Sequence, residues 1–471
     1  MERKKEINLK YSRSFSFHLI FNIFNIHYKK LKKGIIMSKS IVSVVKYEKP
    51  LESVRKAIEL SNLFSDLPKD AKIFIKPNIV YWSTGPHPKW GVITTSRVME
   101  DVVTLLKEHG IEDITIGEGF VSNEAAQDAF KKLGYNDLKE RFGVKLINTQ
   151  DRPHEKIDMG CEFLVNFASD ALKADYIISL PVLKTHSQAV ISLGTKNLKG
   201  LINIASRKKF HSADPIKTLH FNVAKLPNNI PPCLTLIDGI YTLERGPSMD
   251  GKPHKTNILI ASKDIFSADL VGAKILGIEP SDVPQLVQAA EDRNRSLDLS
   301  DVEVVGEKIE EVAKHHEWKF IYNDAGDLPL PFYNRQFKGI KYREYDTTMC
   351  TYCSAINGML LVLLKNAWNG ETFGGIEFLT GKIMEPSAGM NKTILVGQCQ
   401  YKKNRDHPNI KELVPIRGCP PSMDDIKIAF ETCGIKVNPL FFQEGSSDVG
   451  GSIFLQKYKG KPEFEESFYK L

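Results

Sequence analysis

Four cysteines in the last third of the chain carry the clearest chemical signal of the sequence. Cys350 and Cys353 form a C-x-x-C pair directly before a predicted helix. Cys399 follows a predicted strand, and Cys419 lies in a Gly-Cys-Pro-Pro turn after another. A C-x-x-C pair at the start of a helix lets both sulfurs face one point, where backbone amides and the helix dipole favour the thiolate forms. We predict that the four thiolates hold one iron–sulfur cluster of the 4Fe-4S type.

The spacing of these cysteines leaves zinc and thiol redox chemistry open as alternatives. Structural zinc sites usually combine two close pairs, whereas here one pair joins two single cysteines. A thioredoxin-like redox motif would need only the C-x-x-C pair. The remaining cysteines are predicted to be structural: Cys161, Cys233 and Cys433. Seven cysteines without a secretory signal indicate a reducing compartment, and we expect the cytoplasm.

Basic and polar side chains collect where the strands of the predicted sheet end. Open α/β sheets bind their ligands at that edge, and Lys, Asn, Arg and His donate hydrogen bonds to phosphate or carboxylate. We therefore predict an anionic small molecule as the ligand, the alternative being a solvated basic face. The candidate catalytic residues are Lys184, His186 and His211. The candidate substrate-binding residues are Lys76, Asn78, Lys196, Asn197, Lys199, Arg207 and Asp238.

The elements that position these residues alternate along the chain. From Met37 to residue 322, short apolar strands alternate with amphipathic helices, which predicts an α/β domain with a mainly parallel sheet and flanking helices. Residues 323–344 are rich in Pro, Gly and aromatic residues, and we predict a linker there. Residues 345–471 are predicted to form a smaller C-terminal α/β domain that binds the cluster.

Within the C-terminal domain, the order of strands and helices decides whether the cysteines meet. Strands are predicted over Thr393–Gly397 and Glu412–Ile416, and a final strand over Ser452–Tyr458. If the first two strands are parallel neighbours, Cys399 and Cys419 emerge at the same edge of their sheet.

The charge of the chain is concentrated at its start. Residues 1–36 hold nine Lys/Arg and two Glu, which equals the whole net charge of +7, so the other residues sum to zero. The basic balance therefore predicts neither a nucleic-acid partner nor a membrane partner. We expect translation to start at Met37 and residues 1–36 to be a misannotated or disordered extension, the alternative being a short amphipathic membrane anchor.

Five motifs in order resemble the domain of unknown function 362 family over residues 40–310. They are Lys76-Pro77-Asn78; Leu180-Pro181 with Lys184-Thr185-His186; Lys196-Asn197-Leu198-Lys199-Gly200; Asp238-Gly239-Ile240 with Gly246-Pro247 and Gly251; and Ala261-Ser262-Lys263-Asp264 with Ala268-Asp269. The resemblance implies an association with iron–sulfur clusters and an unassigned biochemical role. Many members carry a ferredoxin-type C-x-x-C-x-x-C-x-x-x-C-P run. This chain lacks that run, so the resemblance transfers no ligands to the four cysteines.

The predicted function is therefore an iron–sulfur protein that acts as an oxidoreductase or in electron transfer, with a redox partner protein and an anionic substrate. One alternative is a non-redox enzyme that uses the cluster as a Lewis acid. Another is a binding or assembly protein with zinc or a structural cluster. No G-x-G-x-x-G run follows a strand, so a nicotinamide or flavin site is not indicated.

Overall fold

The structure, a computed structural model, describes residues 39–80, 82, 89–151, 153–246, 251–442 and 449–471. The predicted extension over residues 1–36 lies outside the described residues. Ile41–Leu471 form one compact unit. Within the described residues, no helix combines the length and the apolar character that a membrane crossing requires.

Ten strands of the described residues form one large sheet, and helices cover it. The strands are β1 (Ser40–Lys46), β2 (Ile73–Pro77), β3 (Ile114–Glu118), β4 (Lys145–Asn148), β7 (Tyr176–Leu180), β8 (Val182–His186), β9 (Val190–Ser192), β10 (Cys233–Glu244), β11 (Lys252–Ser262) and β12 (Val302–Gly306). The order of neighbours in the sheet is β12-β1-β11-β10-β7-β2-β3-β4, while β8 pairs with β10 and β9. The central neighbours β10, β7, β2, β3 and β4 are parallel, whereas β11 is antiparallel to β1 and β10. The predicted α/β fold with a mainly parallel sheet is therefore confirmed.

Several helices of this part begin at residues whose side chains cap them, as helix physics favours. The longest is α2 (Ser96–His109), which begins at Thr95, whose side chain accepts from the Val98 amide, and ends at Gly110 with φ 97°. The others are α1 (Glu52–Leu60), α3 (Asn123–Lys132), α4 (Tyr135–Phe142), α5 (Ser169–Leu172), α6 (Gly194–Asn197), α7 (Ile204–Lys209), α8 (Leu219–Ala224), α9 (Ile265–Ile275), α10 (Pro284–Arg293) and α11 (Ile309–Val312). Strands β5 (His154–Asp158) and β6 (Leu164–Ala168) form a separate pair.

A second sheet, four-stranded and parallel, lies among the segments that contain Cys350, Cys353, Cys399 and Cys419. Its order is β13 (Ile340–Tyr342), β14 (Ile376–Leu379), β15 (Lys392–Val396) and β16 (Glu412–Ile416). Its helices are α12 (Leu330–Asn334), α13 (Thr351–Ala367), α14 (Gly397–Asn404) and α15 (Met423–Thr432). The pairing of β15 with β16 is parallel, from Lys392 opposite Glu412 to Val396 opposite Ile416. These two strands are therefore the parallel neighbours that the sequence prediction required.

Three local features differ from the sequence predictions or add to them. The segment Ser452–Tyr458, predicted as a strand, lies in helix α16 (Val449–Tyr458), because a short apolar run does not by itself distinguish strand from helix. Lys184 and His186 follow strand β7, as predicted, and they lie within a further short strand, β8. The region predicted as a linker contains α12 and β13, because β13 pairs with β14 and buries Tyr342. The proposed division into domains stays a prediction.

The C-terminal segment packs on the core of the large sheet. Trp90 lies with its ring centroid 6.5 Å from that of Phe454 and 5.6 Å from that of Phe464. Tyr469 is buried in the same core, beside Tyr241. The last residues of the chain are therefore packed on the large sheet and not on the four-stranded one.

Candidate functional site

Three chain segments bring the four cysteines together. Cys350 occupies the position before the first residue of α13, and Cys353 lies in the first turn of that helix. Cys419 follows the end of β16. Cys399 follows β15, as predicted, and lies in the first turn of α14, which begins directly after that strand. We call Cys350, Cys353, Cys399 and Cys419 the cysteine site.

Two glycines allow these segments to approach one another. Gly397 has φ +85° and Gly418 has φ +105°, which is backbone that residues with a Cβ rarely adopt. A Cβ on Gly397 would lie 2.9 Å from Cys353 Sγ. The Gln398 amide donates to the Gly418 carbonyl at 3.0 Å, which ties the start of α14 to the turn that carries Cys419.

The four thiols influence one another electrostatically. The hydrogen bond from the Cys353 thiol, together with the Cys353 and Tyr352 amides, lowers the pKa of Cys350 to about 5. The same hydrogen bond with Cys350 and then burial raise the pKa of Cys353, and the charges of Cys399 and Cys419 add to this rise. Burial raises the pKa of Cys399, with further contributions from Cys350 and Cys419. The ionised forms of Cys350, Cys399 and Cys419 therefore raise the pKa of a neighbouring thiol, as expected where thiols lie close enough to share a ligand.

The donor set of the cysteine site suits a group with several metal corners. All four thiols are free, and Cys399 and Cys419 are exposed. Within the described residues, no group of three or more His, Cys, Asp or Glu side chains stands in the arrangement that would hold one metal ion. A four-iron cluster takes one thiolate at each corner. In donor type and number, the residues present fit such a cluster.

A group of basic side chains from the large-sheet part lies next to this site. We call Lys184, His186, Lys196, Lys199 and His211 the cationic cluster. Strand β8 carries the first two, and α6 with the 3-10 turn Leu198–Leu201 carries the two lysines that follow. The last one follows α7.

An acidic side chain, Asp269, stabilises the start of α6, the helix that carries Lys196 and leads to Lys199. Asp269 of α9 accepts from the Gly194 amide at 2.7 Å and from the Thr195 amide at 3.0 Å. These bonds satisfy amides at the start of α6 that have no partner within the helix.

The members of the cationic cluster lower one another's pKa values. Burial, followed by the charge of Lys196, holds the pKa of Lys184 well below its ordinary value. Burial and then Lys196 act in the same way on Lys199. Burial lowers the pKa of Lys196 itself to about 7. The cluster therefore concentrates positive charge that the protein does not fully compensate.

The two histidines of the cationic cluster are held in opposite tautomers by their hydrogen bonds. His186 Nδ1 accepts from the Gln188 and Ala189 amides at 3.0 and 3.2 Å, so its proton is on Nε2. His211 Nδ1 donates to the Thr347 carbonyl at 2.8 Å, so its Nε2 accepts from Lys199 at 2.8 Å. Burial and the surrounding lysines hold the pKa of both histidines well below the ordinary value, which keeps them neutral.

Other predicted substrate-binding residues are engaged within the protein. Lys76 pairs with Glu118 at 2.7 Å, and both are buried. The Asn197 amide donates to the Lys76 carbonyl, and Asn78 accepts from Lys184 at 2.7 Å and donates to Asn197 at 3.3 Å. These contacts join the ends of β2 and β3 to α6.

Asp238 and Arg207 also have internal partners. Asp238 accepts from the Thr95 amide at 2.8 Å and from the Ile240 amide at 3.0 Å. Arg207 donates to the carbonyls of Gly200 and Ile202 at 2.8 and 2.9 Å. The guanidinium fork of Arg207 is thus directed at the backbone that follows Lys199.

Two further lysines, Lys208 and Lys382, lie between the cationic cluster and the cysteine site. Lys208 Nζ lies 3.4 Å from Cys419 Sγ and 4.6 Å from the centroid of the Tyr352 ring. The charge of Cys350 raises the pKa of Lys199. Lys382 donates to the His211 carbonyl and lowers the pKa of both Cys350 and Cys399. The two groups of residues are therefore adjacent.

The sequence predictions did not include Lys208, Tyr352 or Lys382 as site residues. Lys208 belongs to the Arg-Lys-Lys run at 207–209, of which only Arg207 was selected. Lys382 comes three residues after the end of β14, so the strand-end criterion used for the large sheet would have found it.

Residues 73–274 match the family model described as domain of unknown function (DUF362). This part of the chain is similar to that family. The matched range contains the whole cationic cluster, whereas the cysteine site lies outside it. The family assignment thus covers one half of the site, and the description of the family assigns no chemistry to either half.

The relatives found by comparison are distant. Thylakoid-associated protein sll1697 of Synechocystis sp. is 26% identical over 250 residues, which is 52% of this chain and 74% of that protein. Among solved structures, the lactate racemase apoprotein from Thermoanaerobacterium thermosaccharolyticum aligns with a TM-score of 0.32 and 15% identity, over 51% of this chain. The chain spans 58% of the racemase chain.

Proposed function

We propose that the protein is an iron–sulfur oxidoreductase, in which a 4Fe-4S cluster at the cysteine site exchanges electrons with an anionic substrate at the cationic cluster. The observation that carries this proposal is that the two sites are adjacent, with Lys208 between them. Lys208 touches Cys419, and the charge of Cys350 acts on Lys199. Electron donors and anion-binding groups placed side by side are what a substrate-reducing site requires.

The four cysteines would hold the cluster, and a cluster bound there would supply one-electron transfer. Lys208 donates to Cys419 Sγ, and the Lys382 charge favours the thiolates of Cys350 and Cys399. Both lysines reduce the repulsion among four thiolates. The exposed side of the site, at Cys399 and Cys419, is the side on which we place a redox partner protein that supplies the electrons.

The cationic cluster would bind and orient the substrate. Lys196 and Lys199 would hold its negative charge, and His186 Nε2 would donate a hydrogen bond to it. Lys199 is the residue that we assign to proton delivery, because its ammonium donates to neutral His211 and its pKa is lowered. All seven cysteines are free, which supports a location in a reducing compartment such as the cytoplasm.

The test is anaerobic purification of the full chain, with iron and sulfide counted per chain and absorbance and electron paramagnetic resonance recorded. We expect a brown protein with four irons per chain that bleaches with dithionite and recovers. Each site cysteine is then replaced by serine, with Cys161→Ser as the control, because Cys161 is also exposed and free but lies outside the site.

The outcomes separate the alternatives. Loss of iron in all four site variants, but not in the control, supports the proposal. Loss in three variants, with the fourth dispensable, favours a Lewis-acid enzyme with one iron open to substrate. A colourless protein that holds one zinc per chain would refute both iron functions and leave a binding or assembly role.

A further inference from the structure

Two lysines of the cationic cluster, Lys196 and Lys199, have charges that the described acidic side chains do not pair with. Within the described parts of the chain, neither Lys196 nor Lys199 forms an ion pair with an acidic side chain. The nearby carboxylate, Glu118, is taken by Lys76 and by the Ile79 and Gly119 amides at 2.7 and 2.6 Å. The ammonium groups of Lys196 and Lys199 therefore lack a counter-charge from the described acidic side chains. A ligand with two negative charges would supply it.

A third donor faces the same lysines. His186 is buried on β8, whose neighbour β9 contacts α6, the helix that carries Lys196. The charges of Lys196, Lys199 and Lys184 all act on this histidine. Its Nδ1 accepts from two amides, and its Nε2 has no hydrogen-bond partner among the described residues. The Nε2–H group can therefore donate to a ligand that binds between these residues.

The geometry of these donors distinguishes between anion shapes. Arginine binds a planar carboxylate through its fork, whereas lysine acts as a point charge. Here the neighbouring guanidinium fork, that of Arg207, is directed at the Gly200 and Ile202 carbonyls. The donors that remain are separate points on β8, α6 and the following turn. Separate point donors suit a tetrahedral oxyanion, whose oxygens point in different directions.

We propose that the cationic cluster binds a phosphate dianion through Lys196, Lys199 and His186 Nε2. The placement of this phosphate as part of the substrate rests on the proposed function. Its binding does not require the cysteine site to be loaded, because none of the three donors is a cysteine-site residue.

The experiment measures anion binding by calorimetry on the anaerobically purified full chain, with its absorbance recorded in the same samples. The probes are sulfate, inorganic phosphate, glycerol 3-phosphate and malonate, the last being a planar-group dianion. The variants are Lys196→Gln and His186→Asn, in which asparagine keeps an acceptor near the Nδ1 position. The matched control is Lys209→Gln, since Lys209 is an exposed lysine on α7 that donates only to the Leu164 carbonyl.

We expect sulfate and phosphate to bind, and each site variant to weaken them by about tenfold or more, as the loss of one charged hydrogen bond implies. Lys209→Gln should change the affinity less than about twofold. Tighter binding of glycerol 3-phosphate than of inorganic phosphate would assign the site to a phosphorylated molecule, and the reverse to free phosphate; both support the site.

Three results would overturn the proposal: no binding of any tetrahedral anion, malonate binding more tightly than sulfate in a manner that depends on Lys196, or an equal loss in Lys209→Gln. A colourless protein that still binds phosphate through Lys196 would refute the iron–sulfur function and leave this inference standing. A brown protein that binds no tetrahedral anion would refute this inference and leave the iron–sulfur function standing.

Discussion

Replacing Gly397 by alanine should remove the cluster with little more cost to the fold than a matched glycine change. Gly397 has φ +85°, and an added Cβ would lie 2.9 Å from Cys353 Sγ. The backbone strain of alanine in the left-handed region costs about 1–2 kcal/mol. The matched control is Gly389→Ala, because Gly389 also has φ +85° but an added Cβ there meets no atom within 4 Å.

The two variants differ only in what the new methyl group meets. Without metal, the Cys353 thiol can rotate away, so both variants should lose a similar free energy of unfolding, about 1–2 kcal/mol. With metal bound, Cys353 Sγ is fixed and cannot yield. We therefore expect Gly397→Ala to lose most of its iron, and Gly389→Ala to keep it. The assays are iron per chain and a denaturant titration followed by tryptophan fluorescence. Full iron content in Gly397→Ala, or equal iron loss in both variants, would refute the placement of Cys353 as a ligand.

Three further outcomes follow from contacts around the site. Lys208→Gln should lower the reduction potential of the bound cluster by on the order of 50 mV in a potentiometric titration, because one positive charge next to Cys419 Sγ is lost; an unchanged potential would contradict that contact. Sulfate affinity should be constant below pH 7 and fall by about tenfold per pH unit above it, because burial lowers the pKa of Lys196 to about 7 and only its ammonium binds the anion; Lys196→Gln should abolish this slope. Glu118→Gln should reduce the free energy of unfolding by about 3–5 kcal/mol, because it leaves the Lys76 ammonium buried without its counter-charge. The double variant Lys76→Met/Glu118→Leu should cost less than Glu118→Gln alone; a larger loss in denaturant titrations would show that the ion pair stabilises the fold by itself.

The strands that lead to the cysteines were predictable, because they follow from local patterns. Apolar runs ending near Val396 and at Ile416 predicted β15 and β16, respectively. Their parallel pairing was only a condition for bringing Cys399 and Cys419 together, and the structure fulfils it. The element that carries Cys399 was not predictable in the same way. The strand was expected to run to Gly397, but Gly397 lies in the left-handed region and begins α14, so Cys399 lies in the first turn of a helix.

The roles of the basic residues could be predicted only in part. Strand-end placement selected Lys76 and Lys196 alike, since both come at the edge where a sheet of this class binds its ligands. What separates them is the partner that each side chain finds after folding. Lys76 forms an ion pair with Glu118 of β3, which is distant in sequence. Among the described residues, Lys196 forms no ion pair with a carboxylate. A single sequence does not contain that information, because it depends on which strands become neighbours.

The contacts between the two halves of the site explain why the family match alone does not describe it. Gln188 and His211, both within the DUF362 range, hold the backbone that leads into Cys350: Gln188 donates to the Asp346 and Met349 carbonyls at 2.8 and 2.9 Å, and His211 donates to Thr347. The matched range therefore positions the first cysteine of the cysteine site, which lies outside that range. Because His211 also accepts from Lys199, a shift of the 346–349 segment would move the partner of that lysine. We therefore expect the two sites to be coupled through that histidine, so that a change in one is measurable at the other.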